Sequence, residues 1–166
     1  MSTPSVPKTS PGNFFEDFRL GQQIRHATPR TVTTGDVALY NGLFGARFAV
    51  QSSDIFAQKI GYSRSPLDDL LVFHIVFGKT VPDIALNAVA NLGYADCRFL
   101  KAVYPGVTLN AVSEVIGLKE NSTKKTGIVY VRTISTASCA TKAKPRRPSN
   151  RSTRSATRCC CAASRS

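Results

Sequence analysis

The sequence predicts an α+β fold in which a curved antiparallel sheet wraps one central apolar helix. Two observations carry this prediction. Residues 66–78 read PLDDLLVFHIVFG, and nine of the thirteen are Pro, Leu, Val, Phe or Ile, distributed on every side of a helix. A helix with no wet face must be enclosed by other structure. Downstream, residues 88–99, 107–118 and 127–133 read as three successive strands. A chain of 166 residues builds one domain around one core, and a curved sheet is the most economical wrapping for such a helix.

In chain order, residues 1–12 are polar and Pro-rich and are expected to form a disordered arm. Phe14, Phe15 and Phe18 open the domain, with Glu16, Asp17 and Arg19 between them. Leu20-Gly21-Gln22 turns the chain into an expected strand over 24–33. Thr33 or Thr34 caps the next helix, and Asp36 near its start suits the positive helix end. Val37, Leu39, Tyr40, Leu43 and Phe44 give that helix an apolar side, while Gly42 and Gly45 shorten it and lead into a loop over 45–53. Residues 54–60 (DIFAQKI) read as a short helix closed by Gly61. The apolar helix follows. Ser65-Pro66-Leu67-Asp68 resembles a capping box with Pro at the first helical position, and Pro82 marks its far limit. Tyr104-Pro105-Gly106 and residues 120–125 are turns between the strands.

No run of about 18 apolar residues is present, so no membrane span is expected. The N-terminus has neither the apolar stretch of a signal peptide nor the pattern of a transit peptide, which points to the cytoplasm. The net charge is +12, but residues 134–166 hold eight of the 22 Lys and Arg and no acid. That leaves 14 basic against 10 acidic groups, a net +4, for residues 1–133. No aromatic residue is interleaved with the charges of the tail, so stacking on bases is unavailable and no specific nucleic-acid partner is expected.

After Ile134 the chain has no aliphatic residue larger than Ala, too little apolar surface to offset chain entropy. The expected organisation is an arm over 1–12, one truncated domain over 13–133, and a disordered basic tail over 134–166. The tail's bias towards Arg, Ser, Ala, Thr, Pro and Cys suits a reading-frame change in a GC-rich gene. Cys159, Cys160 and Cys161 are adjacent, so their side chains point apart, and no second spaced pair accompanies them; no metal site is expected. Five cysteines without a secretion signal give no disulfide framework.

Three stretches carry a family resemblance: GNFFEDFRLGQQIRHATPRTVT at 12–33, LLVFHIVFGKTVPDIALNAVANLGYA at 70–95 and TGIVYVRT at 126–133. Over 12–133 the chain resembles the MaoC-like hotdog-fold dehydratases, and within them the N-terminal half of the mesaconyl-CoA hydratases, or β-methylmalyl-CoA dehydratases. Such enzymes are about twice as long and resemble two hotdog units in tandem. The resemblance implies a hydro-lyase acting on a branched enoyl-CoA such as mesaconyl-CoA or β-methylmalyl-CoA. CoA is then part of the substrate, with no separate cofactor. It also implies a homo-oligomer, or pairing with another hotdog unit.

The sequence departs from the family pattern in three places. The hydratase motif has an Asp, then Asn-Pro, then a His five positions after the Asp. The corresponding stretch here, residues 41–49 (NGLFGARFA), has no carboxylate and no imidazole to exchange protons with water. The last strand of the fold is expected to be missing after Thr133. Val107 follows the Pro-Gly turn where Asp is usual.

No catalytic residue is therefore assigned. The N-terminus of the apolar helix is the candidate contact for an acyl thioester, because backbone N–H groups and the helix dipole there favour developing negative charge. Asp69 and Leu70 lie at that point, though Asp68 and Asp69 also read as simple helix caps. His74 lines an acyl pocket, serves as a proton-transfer group, or is a buried histidine with one satisfied hydrogen bond. Arg47 and Lys101 are candidates for CoA phosphates, or solvated surface charge. His26, alone on the first strand, reads as surface. The function expected is that of a hydro-lyase fragment without its catalytic half. The alternative is a non-catalytic acyl-CoA-binding hotdog subunit that pairs with a separate active chain.

Overall fold

The computed structural model describes residues 12–46, 48–139 and the backbone of 153–164. The expected N-terminal arm, apart from Gly12, lies outside the described residues, as do 140–152 and 165–166 of the expected tail. Long strands with strict alternation set the frame. β4 (Val107–Glu120) and β5 (Thr126–Cys139) pair antiparallel along nearly their whole length. Every second residue points inward: Val107, Leu109, Ala111, Ser113 and Val115 from one, Val129, Val131, Thr133 and Ser135 from the other. That is the period-2 signature of a sheet with one buried face.

β1 (Gln23–Arg25) and β2 (Arg30–Thr31) both pair with β4. The sequence predicts one strand over 24–33; the structure has two short ones. Pro29, which has no N–H to give to the ladder and restricts the residue before it, stands in the gap. β3 (Ala88–Arg98) pairs with β6 (Thr153–Ser164), and β6 pairs with β5, giving the sheet order β1-β4-β5-β6-β3.

This order corrects the expectation of a domain ending at 133 with its last strand missing. β5 continues to Cys139, with Ser135 buried, and the backbone of β6 fills the place between β5 and β3. Composition misleads here because a strand between two others is held by backbone hydrogen bonds, which small residues make as well as large ones.

The helices follow the sequence more closely. α1 (Thr34–Phe44) starts at Thr33, whose hydroxyl accepts from Asp36 N–H at 3.2 Å while the Asp36 carboxylate accepts from Thr33 N–H at 2.8 Å. This reciprocal cap satisfies two helix-end donors. The expected loop over 45–53 contains one further helical turn, α2 (Ala49–Ser52), before α3 (Asp54–Lys59). Gly61, at φ +100°, turns the chain out of α3.

α4 (Asp69–Ile84) lies across the buried face of the sheet. Leu71, Val72 and Val76 pack with Val107, Leu109 and Ala111 of β4, and Ile84 packs with Val115, Val129 and Val131. Each such buried side chain contributes roughly 1.5–3 kcal/mol. On its other flank Phe73 and Phe77 stack at 5.9 Å, and Tyr94 of β3 meets both rings edge-on at 5.1 and 5.4 Å. Sheet therefore reaches α4 from two sides.

Two details of α4 differ from the sequence reading. Its cap is Asp68, whose carboxylate accepts from Leu70 N–H at 2.8 Å, so Pro66 precedes the helix; the helix passes Pro82 and ends at Ile84. A proline in the last turn forfeits one hydrogen bond, which packing of the turn offsets. The helix also has an open face. Leu70, His74, Gly78 and Pro82, spaced four apart, form an exposed stripe. Apolar saturation does not separate residues that fill a core from residues that line a cleft.

Candidate functional site

Two hollows flank α4. The larger is a cleft of about 570 Å³ between α4 and α1. Leu39, Tyr40 and Leu43 form the α1 wall, and Leu71, Ile75 and Gly78 are among the residues of the α4 wall. The break between β1 and β2 brings Thr28 and Arg30 to its edge. The walls are apolar, as in sites that hold small organic ligands.

The charged groups of the cleft are unequal. Arg30 is held by Asp36 at 2.6 Å, and Asp36 is further tied to the Thr33 hydroxyl and N–H. Those hydrogen bonds, the Thr33 N–H first, hold the Asp36 carboxyl below the usual carboxylate range. Lys79 is different. Its Nζ is buried and has no hydrogen-bond partner among the described residues, and burial lowers its pKa from the ordinary lysine value.

The smaller hollow, about 260 Å³, sits at the N-terminal end of α4. Asp69, Leu67, Phe99 and Lys101 contribute to its lining. Desolvation first, and the neighbouring Asp68 charge second, push the Asp69 carboxyl above its usual range.

These positions separate the residues singled out by sequence. Asp69 and Lys101 share the smaller hollow, whereas His74 lines the larger cleft. His74 is exposed rather than buried, with its ring 6.3 Å from that of Tyr40 and 5.7 Å from that of Phe73. Leu70 is 55% exposed. Arg47 lies outside the described residues.

His26 corrects the surface reading. Its side chain is fully buried, with Nδ1 2.6 Å from Asp83 Oδ2 and Nε2 2.8 Å from Ser113 Oγ. A lone polar residue on a strand gave no sign of this, because Asp83 lies 57 positions away in sequence. Sequence reasoning also passed over Lys79, Thr28 and Arg30. Their signal is tertiary: a lysine in the last half of a helix reads as solvated until the cleft is seen.

Among the described residues the larger cleft holds no hydrogen-bonded carboxylate–imidazole pair. Its carboxylate, Asp36, is committed to Arg30 and Thr33, and His74 hydrogen-bonds to no carboxylate among the described residues. The His26–Asp83 pair is enclosed by the core and occupied on both ring nitrogens. Among the described residues no group of three or more His, Cys, Asp or Glu is placed to hold a metal ion. No described helix is long and apolar enough to cross a membrane.

Residues 16–137 match the family model described as the MaoC like domain. The chain belongs to this family. It is 68% identical over 127 residues to the β-methylmalyl-CoA dehydratase of Chloroflexus aurantiacus, a match covering 76% of this chain and 36% of that protein. It is 62% identical over 126 residues to the mesaconyl-CoA hydratase of Cereibacter sphaeroides, covering 76% and 37%. The solved structure of a MaoC domain protein dehydratase from Chloroflexus aurantiacus superposes with a TM-score of 0.83 at 54% identity, covering 96% of this chain and 42% of that one. The fold of this MaoC-like chain is accordingly the hotdog, with α4 as the helix packed across its sheet. The chain spans a little over a third of the length of the curated relatives it matches.

Proposed function

We propose that the chain is the acyl-CoA-binding hotdog unit of a hydro-lyase acting on a branched enoyl-CoA such as mesaconyl-CoA, and that the groups handling water belong to a second unit. The observation that carries this reading is a MaoC-like unit with an apolar cleft beside α4 and no carboxylate–imidazole pair open to it among the described residues. In the forward direction a hydratase adds hydroxide to one alkene carbon and a proton to the other. The thioester oxygen gains negative charge as the nucleophile adds. Leu70 N–H is taken by Asp68, and the remaining backbone N–H groups and the helix dipole at the start of α4 are suited to stabilise that charge. Lys101, in the hollow beside it, is placed to meet an anionic part of CoA. The acyl group occupies the larger cleft.

The absence of a proton-exchanging pair open to the cleft among the described residues equally favours a binding subunit that partners a separate active chain. One experiment tests the division of labour that both readings share. The purified chain is titrated calorimetrically with mesaconyl-CoA, and the enoyl-thioester absorbance is followed in parallel. Binding without turnover, with turnover on adding a chain that carries the Asp/His motif, supports the division of labour. Turnover by this chain alone overturns it. No binding by the folded chain overturns the proposal altogether.

A further inference from the structure

The geometry points to Lys79 as the residue that selects the acyl group: its ammonium takes the free carboxylate of a dicarboxylic enoyl thioester seated in the larger cleft. This rests on the proposed function and deepens it, because it names a chemical class, a thioester whose far end is anionic, and the group that reads it.

Five observations converge on Lys79. It lines the cleft from α4. Its Nζ is buried without a hydrogen-bond partner among the described residues. A buried charge is costly until it is paired, so the site is incomplete without an anion. The anions nearby are already taken: Asp83, one turn further along α4, is bound to His26 at 2.6 Å, and Asp36 is bound to Arg30 at 2.6 Å. Gly78, beside Lys79, leaves open space where a side chain would stand, so a ligand can approach the helix there. Burial lowers the lysine's pKa, and an arriving carboxylate would reverse that by favouring the charged form.

The test compares two thioesters that differ in one group. Mesaconyl-CoA carries the carboxylate; tiglyl-CoA, its branched analogue, carries a methyl in that place. The wild-type chain is expected to bind the first about 10–100-fold more tightly, the worth of one charge-assisted hydrogen bond out of water. Lys79→Met keeps the unbranched apolar stem and removes the charge. It is expected to retain affinity for tiglyl-CoA and lose the preference. A variant free of an unpaired buried charge should fold, and its thermal midpoint checks that. The wild-type comparison needs no variant. Equal wild-type affinity for the two thioesters, or an undiminished preference in Lys79→Met, overturns the role of Lys79 and leaves the proposed function standing. Failure of the folded wild type to bind either thioester overturns both.

Discussion

His26 Nδ1 lies 2.6 Å from Asp83 Oδ2, and this contact anchors a polar seam through the core. With Asp83 as acceptor, the imidazole donates from Nδ1 and accepts at Nε2 from the Ser113 hydroxyl at 2.8 Å. Ser113 in turn accepts from Thr133 at 2.7 Å. The seam joins the end of β1 to α4, β4 and β5. On β4 it falls between Ala111 and Val115, which belong to different apolar clusters, so it divides the core in two. Each member needs its neighbour, since an unsatisfied polar group out of water is costly.

Ser113→Ala removes the donor to His26 Nε2 and the acceptor for Thr133. The expected loss of stability is about 1–3 kcal/mol, the cost of stranding a buried polar group. Denaturant unfolding measures it. A combined Ser113→Ala, Thr133→Val variant should lose less than the two single variants added together, because the second change removes a group the first has stranded. Full additivity would show that the two hydroxyls are not coupled.

The same seam sets a pH dependence. Burial lowers the His26 pKa below its ordinary 6.5, and the Asp83 hydrogen bond and charge oppose this only in part. The unfolded chain therefore takes up a proton near pH 6.5 while the folded chain resists it. Stability from this group is complete above that pH, declines as pH falls below it, and levels off once the folded pKa is passed. Unfolding midpoints measured from about pH 7.5 to about pH 5 should fall for the wild type and fall less for His26→Gln. An equal slope in the two proteins would remove His26 as the cause.

Gly127 is buried against Phe15, and a Cβ there would overlap the Phe15 ring. Gly127→Ala should cost about 1–3 kcal/mol, the usual penalty of overpacking. Phe15 also packs on the cluster of Phe18, Ile24 and Ile84, so displacing its ring disturbs the helix side of the core as well. The double variant Gly127→Ala, Phe15→Ala should recover part of the loss beyond the expected sum; no recovery would mean that the strain falls elsewhere.

β3 makes its ladder with β6. Deleting residues 140–166 should leave β4 and β5 paired but free the β3 backbone. Hydrogen exchange reads this directly: amides of 88–98 should lose protection while those of 107–120 keep it. Retained protection in β3 would show that Tyr94 and its contacts with Phe73 and Phe77 hold the strand without a ladder partner.

The parts of the fold legible in the sequence are those with a local signature. α4 is visible as an apolar run, the cap at Thr33 and Asp36 as a spacing, and β4 and β5 as runs between turn residues, the second rich in β-branched side chains. β6 was not legible, since its strand character lies in two neighbouring edges rather than in its own side chains. The site divides in the same way. The neighbourhood of the helix start could be marked from its acids and proline, but the cap falls at Asp68 and not at Ser65. Lys79 and His26 could not, because what distinguishes them is the lack of a partner among the described residues in one case and a partner 57 residues away in the other.

Gly78 offers a test of where the acyl group sits. It lies inside α4 with nothing within 4 Å of the position a Cβ would take, on the wall of the larger cleft. Glycine in a helix interior costs about 0.5–1 kcal/mol relative to alanine, so Gly78→Ala should raise stability by about that amount. Gly78→Leu keeps a good helix former and extends a side chain into the cleft. If the cleft holds the acyl group, Gly78→Leu should unfold no earlier than the wild type yet lose affinity for mesaconyl-CoA. Calorimetry on the folded variant decides the point. Undiminished affinity would move the acyl group out of this cleft and leave the hollow beside Asp69 as its place.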